Sequence, residues 1–238
     1  MILTNKHRLP FAFENFERAH PYDPGKSDIS VTTLIDSPQI TRLKSKHKDT
    51  LTEDVSDRIF SILGTAVHTI LESAAADDCT VEERLYANWA EDGQDDIIIG
   101  GQIDLQSPHP DGGIILSDYK TTSAMTIQYN PDGKEEWTNQ LNCYAALARI
   151  NKIDVRSIEV IAVLRDWNRR SAERNHNYPQ QAVIRVPMEL WSQDTAEQYI
   201  EERLAIHADE TAECTDAERW KRASKIKAYQ LDRNGIMR

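Results

Sequence analysis

Two runs of aliphatic residues constrain this chain most. Ile97-Ile98-Ile99, with Ile103 and Leu105, precedes the turn-dense segment Ser107-Pro108-His109-Pro110-Asp111-Gly112-Gly113, and Ile114-Ile115-Leu116 follows it. Two β-rich runs joined in this way read as a hairpin, with strands at 96–106 and 114–121. The unbroken apolar run at 114–116 asks for burial on both faces of the sheet, which requires helices packed against it.

The flanking segments supply them. Ile59, Ile62, Leu63, Ala66, Val67, Ile70 and Leu71 recur at spacings of three and four, so a helix with one buried face begins near Ser56. Strands are expected at 82–89, 157–164 and 181–188, and helices at 135–150 and 189–207. Residues 1–30 read as an extended arm. Ser30 or Thr32 caps a short helix after it, and 38–56 is a mobile connection or an exposed helix. Asn234-Gly235 marks a terminal hairpin between 225–231 and 236–238. The order is helix, three strands, helix, strand, then additions. This is an α/β fold with a central mixed sheet flanked by helices. We expect one domain, with a core at about 56–188, an N-terminal arm at 1–55 and a C-terminal helix and hairpin at 189–238.

Charge narrows the function. Among 238 residues, 28 Lys and Arg face 39 Asp and Glu, a net charge of −11. A protein that coats nucleic acid over its whole surface is excluded, but a local nucleic-acid site is not. The acidity is concentrated: residues 51–120 hold 3 bases against 15 acids, whereas 1–50 hold 8 against 6 and 121–238 hold 17 against 18. A solvated acidic face is the ordinary reading, and carboxylates converging on a metal is the sharper one. The 3 cysteines, Cys79, Cys143 and Cys214, have no close pair. They build no disulfide framework or four-thiolate cluster and point to a reducing cytoplasm. No apolar run suggests a signal peptide or a membrane span.

Chemistry is concentrated in the hairpin. Asp118 and Lys120 are two residues apart on one strand and share a face. If Gln106 faces Ile114 across the turn, Asp104 faces Leu116, one diagonal step from Asp118. Two carboxylates and an ammonium on an apolar strand pair are costly unless compensated. They form either a structural ion pair at a sheet end, or two hard oxygen ligands for Mg²⁺ with a Lys beside the bound water. His68 lies on the preceding helix, with Glu72 one turn on. Gly64 inside that helix asks for close packing against another backbone. Gln140 and Tyr144, at i and i+4 on the helix after Lys120, are either a helix-face amide and a core ring, or a pair that reaches that lysine or a substrate phosphate.

Four motifs in order, Gly64-Thr65-Ala66-Val67-His68, Gly101-Gln102-Ile103-Asp104, Asp118-Tyr119-Lys120 and Gln140-Leu141-Asn142-Cys143-Tyr144, resemble the RecB-type, phage-exonuclease-like branch of the PD-(D/E)XK nuclease superfamily. The resemblance implies a restriction-endonuclease-like core and a divalent-metal-dependent deoxyribonuclease. That enzyme would most often be an exonuclease of phage-type recombination, replication or repair. It assigns Mg²⁺ or Mn²⁺ to His68, Asp104, Asp118 and the Tyr119 carbonyl, with Glu72 and Glu83 as weaker carboxylate candidates. Lys120 would steady the attacking water, and Gln140 and Tyr144 would orient Lys120 or the phosphate. The four cysteines of the iron–sulfur relatives are absent, so no cluster is expected. DNA is the implied partner, as linear duplex or single strand. A recombination or single-strand-binding protein is a further implied partner, and an oligomer is allowed. Basic contacts would come from Arg165, Arg169, Arg170 and Arg174, from a tail patch including Arg219, Lys221 and Arg222, and from Arg42, Lys44, Lys46 and Lys48. A structure-specific endonuclease and a catalytically silent DNA- or protein-binding module remain as alternatives.

Overall fold

The structure, a computed structural model, describes residues 2–19, 25–89, 96–219 and 221. Arg222 and the expected hairpin at 225–238 lie outside them. Among the described residues the strands and α-helices follow in this order: β1 (Ile2–Thr4), α1 (Phe11–Ala19), β2 (Ile29–Ser30), α2 (Val31–Ile35), α3 (Pro38–Lys46), β3 (Thr52–Asp54), α4 (Ile59–Ser73), β4 (Thr80–Trp89), β5 (Ile97–Pro108), β6 (Ile114–Thr122), α5 (Ala124–Tyr129), α6 (Glu135–Ile150), β7 (Val155–Leu164), α7 (Arg169–Arg174), β8 (Val183–Met188) and α8 (Gln193–Ala208). The chain is α/β, with a six-stranded mixed sheet flanked by helices.

The sheet runs β2-β5-β6-β7-β8, and β4 pairs with β5 off this path. β4 lies antiparallel along β5 from Ile97 to Gln106, so it takes one whole edge of that strand. β6 and β2 must therefore share the other edge. β6 holds Leu105–Pro108, and β2 holds Ile99 and Gly100. Among the described residues no strand pairs with that edge between Gly101 and Asp104. β6 instead continues parallel to β7 as far as Thr122. The sheet forks here, and the fork receives the candidate site.

The hairpin register differs from expectation by two residues. Gln106 faces Leu116 rather than Ile114. The turn is tighter than a count of its Pro and Gly residues suggests, because β5 continues through Ser107 and Pro108. Side-chain parity survives a two-residue shift. The same register extended by one pair sets Asp104 directly against Asp118.

α6 forms the centre of the core. Trp137 and every residue from Gln140 to Ala148 are buried. Its polar members are satisfied: Asn142, fully buried, donates to the carbonyls of Thr138 and Glu189 and accepts from the Trp191 amide. The core also draws on both ends of the chain. Ser30 caps α2, and Val31 and Leu34 of that helix are fully buried. Ala196, Ile200 and Leu204 of α8 complete the layer, and Arg203 and His207 both donate to the Leu34 carbonyl.

The N-terminal segment is not simply extended. It carries α1, and Asn5 braces the turn before it through Leu9 and Glu14. β1 and β3 form a separate parallel pair. Asp54, at the end of β3, accepts from the Lys6 amide and the Thr4 hydroxyl, and it caps the turn into α4 through Ser56. The arm thereby anchors the start of the helix that carries His68. The 38–56 segment is α3 followed by β3, and the basic loop after β7 contains α7.

α4 differs most from its sequence reading. None of its residues is fully buried, and Phe60, Leu63 and Ile70 are exposed. The helix crosses the fork of the sheet, so its apolar stripe is only half covered. Gly64 makes no close backbone contact: a Cβ there would meet nothing within 4 Å.

Candidate active site

Asp104 and Asp118 meet where β5 and β6 part. The Tyr119 amide, left without a strand partner by the fork, donates to Asp104 Oδ2 at 2.8 Å. α4 places His68 over this point. Its Nε2 lies 3.0 Å from the Tyr119 carbonyl, which can only accept, so Nε2 carries a proton. Nδ1 then faces Asp104 Oδ2 at 3.4 Å and Glu82 Oε1 at 3.9 Å. A histidine tied to a backbone carbonyl through one nitrogen presents the other to a metal in a fixed orientation.

His68, Glu82 and Asp104 each offer a ligand atom, all within 4.8 Å of one another. The set contains two hard carboxylate oxygens and one imidazole, which suits a divalent cation. Asp118 is the fourth group. It is only 3% exposed, and its Oδ2 is held by the Lys120 ammonium at 2.7 Å.

The sequence context of Glu82 does not distinguish it from its neighbours. The antiparallel register of β4 and β5 places it opposite Asp104, between the Val81–Leu105 and Glu83–Ile103 pairs. Its backbone is left-handed, with φ of 50°. Such a conformation in a non-glycine residue costs of order 1 kcal/mol or more and clusters at functional sites. Gln102 donates to Glu82 Oε2 at 2.6 Å and is itself held by Arg84. Of the two weaker candidates, Glu83 is engaged by the buried Gln106. Glu72 is exposed and lines a cleft of about 390 Å³ together with Gly64, Thr65, His68, Thr69 and Glu82.

Lys120 is fixed from both sides. Its Nζ contacts Asp118 and donates to Gln140 Oε1 at 2.9 Å. Gln140 in turn donates to the Tyr144 hydroxyl at 2.9 Å. The Tyr144 ring lies on the sheet face over Gly101, where a Cβ would come within 2.7 Å of it. Gly101 is thus required by the tyrosine, which fixes the amide, which fixes the lysine. Tyr144 does not reach the carboxylates by any hydrogen bond in the structure; its part is positional.

The electrostatics follow from this crowding. The Glu82 carboxylate raises the His68 pKa, with Asp104 and Asp118 adding and burial opposing. Glu82 is correspondingly lowered, first by His68. Burial, then the charge of Asp118, pushes Asp104 up to about 7 against the pull of His68, the Tyr119 amide and Lys120. Burial also raises Tyr144 far above the ordinary phenol value.

The expected basic contacts divide. Arg165 lies over the Phe60 ring, and Arg169 pairs with Glu173 on the exposed surface of α7. Arg170 and Arg174 are exposed on the same helix. Arg42 binds the carbonyls of Asp209 and Ala212 and so holds the C-terminal segment; Lys221 and Arg219 both pair with Asp216. Among the described residues no helix is long and apolar enough to cross a membrane.

No family model matches this chain, and no curated protein matches it. A solved structure titled "Crystal structure of SSO0001" shares its fold, with a TM-score of 0.55 at 17% identity over 82% of each chain.

Proposed function

We propose that this protein is a divalent-metal-dependent deoxyribonuclease with a restriction-endonuclease-like core, acting as an exonuclease in phage-type recombination, replication or repair. One observation carries the reading: Lys120 is locked between Asp118 and Gln140, beside a triad of His68, Glu82 and Asp104 that suits a divalent ion. A structural Asp–Lys pair does not need this second support from Gln140 and Tyr144, nor a histidine and two more carboxylates around it.

The residues fit Mg²⁺ or Mn²⁺, which His68, Glu82 and Asp104 would hold, with Asp118 adjoining. When bound, such an ion lowers the pKa of water and stabilises charge on a phosphate. The chain's own groups do the rest. Lys120 keeps a cation next to the carboxylates, where it orients a nucleophilic water and offsets charge developing on phosphate oxygens. Gln140 and Tyr144 hold it in one rotamer. His68 keeps Nδ1 toward the triad. DNA is the substrate in this reading, the cytoplasm its compartment, and a recombination or single-strand-binding protein a further partner.

The test is incubation with end-labelled linear duplex, single strand and closed plasmid in Mg²⁺ or Mn²⁺. An exonuclease releases nucleotides from linear DNA and spares the plasmid, whereas nicked plasmid makes it a structure-specific endonuclease. Lys120→Ala should keep the fold, melting somewhat lower because Asp118 loses its counter-ion, and lose cleavage by at least about a hundredfold, the scale of a lost general acid–base or charge-stabilising group. Full cleavage by that variant would refute the assignment.

A further inference from the structure

Phe60, in the first turn of α4, is 60% exposed. The guanidinium carbon of Arg165 stands 4.2 Å from its ring centroid. Arg165 follows β7, and its amide donates to the Thr122 carbonyl at 3.0 Å. Thr122 is two residues beyond Lys120 on β6. Eight residues along α4, His68 meets the carbonyl of Tyr119. The helix therefore runs antiparallel over the end of β6, from the Phe60–Arg165 pair at one end to the triad at the other.

Phe60, Gly64 and His68 fall at i, i+4 and i+8, one row along the helix about 12 Å long. The row is open in the middle, since a Cβ on Gly64 would meet nothing within 4 Å. Its far end is an exposed aromatic ring with a cation on its face. Among the described residues Arg165 makes no ion pair with a carboxylate. An apolar ring joined to an unneutralised guanidinium suits a ligand that is flat, stackable and anionic along its length. A nucleic-acid strand has this chemistry, and about 12 Å corresponds to three or four stacked steps of 3.4 Å.

We propose that Phe60 and Arg165 form a stacking platform for the bases of an unpaired nucleic-acid strand whose backbone leads to the candidate active site. The inference rests on the nuclease reading for its ligand, but not for its test. Binding is measured by fluorescence anisotropy in EDTA, where no cleavage occurs, with an oligothymidylate and an abasic oligomer of equal length. These probes carry the same phosphates and differ only in bases. The wild-type protein should prefer the oligothymidylate by about tenfold, within the range for one stacked base. Phe60→Ala should reduce the preference to about twofold or less, and Phe60→Tyr should retain it. Arg165→Gln should weaken both probes. Equal binding of the two probes by the wild type, binding of neither, or an undiminished preference in Phe60→Ala overturns the platform. A Phe60-dependent preference in a protein that cuts no DNA in Mn²⁺ supports the platform and refutes the nuclease reading. Cleavage without any base preference does the reverse.

Discussion

Glu82 and Glu83 are neighbours in the chain and do opposite work. Glu82 faces Asp104 and His68, while Glu83 holds the amide of buried Gln106. Loss of a ligand costs at least as much as loss of an outer-shell partner, so Glu82→Gln should weaken Mn²⁺ binding by about tenfold or more. Glu83→Ala should leave that affinity unchanged and lower stability by about 1 kcal/mol, the value of one hydrogen bond. Calorimetric titration and thermal melting separate the two, and equal metal affinity in Glu82→Gln would remove it from the site. Strand spacing puts Asp104, Asp118 and Lys120 on one face, whereas His68, Gln140 and Tyr144 stand out in the sequence only through the motifs of the nuclease resemblance. Glu82 was hidden because its role depends on a cross-strand register and on a left-handed backbone, neither of which alternation predicts. The Tyr119 carbonyl, expected as a ligand, accepts from His68 and keeps a second lone pair. Asp104 adds a pH dependence. Its folded pKa of about 7 lies above the ordinary 3.8, so without metal the folded state keeps a proton that the unfolded chain loses. Stability is then lost as pH rises between those values, and a divalent ion recovers it by replacing the proton. The rise in Tm on adding Mn²⁺ should be larger at about pH 8 than at about pH 6. Asp104→Asn should shrink the difference to the part that His68, itself raised by Glu82, contributes; an equal rise at both pH values in the wild type would argue against Asp104 as a ligand.

At the scale of elements, two glycines that look alike in sequence act differently. Gly64 and Gly101 each open a motif. A Cβ on Gly101 would strike the Tyr144 ring, whereas a Cβ on Gly64 would enter open space. Gly101→Ala should therefore displace Tyr144, loosen Gln140 and Lys120, and lower cleavage without changing Mn²⁺ affinity. Gly64→Ala, in a solvent-facing helix interior, should stabilise the fold by about 1 kcal/mol. Melting curves and rate measurements check both, and an active Gly101→Ala would show that the tyrosine does not position the lysine. Strong periodicity made α6 legible to the residue, from Glu135 to Ile150. The fork was not legible. It arises because β2, a strand of two residues, competes with β6 for one edge of β5, and so short a pairing leaves no pattern in the sequence. The incomplete burial of α4 has the same origin: its stripe predicts a covered face, but the helix spans an opening in the sheet.

For the whole molecule, the acidic segment at 51–120 contains β5, most of β6 and α4, the elements that carry the triad. Any DNA strand must be held by cations outside it. Arg42, Lys221 and Arg219 are occupied by contacts within the protein, which leaves two exposed basic surfaces among the described residues: helix α7, and the end of α3 with Lys44, Lys46 and Lys48. The Arg169–Glu173 pair on α7 is 83% and 64% exposed, and an ion pair so solvated yields readily to a phosphate. α7 is braced by its Asn168 cap and by Trp167, whose indole donates to the Pro179 carbonyl, so its cations are displayed on a fixed base. Each phosphate contact contributes about one unit to the slope of log affinity against log salt. Changing Arg169 and Arg170 together to Glu should weaken DNA binding and reduce that slope by about two, while leaving Mn²⁺ affinity and Tm unchanged. Binding isotherms of the double variant over a salt series measure it. An unaltered slope would place the DNA path elsewhere, because α7 cannot hold phosphates without releasing their counter-ions.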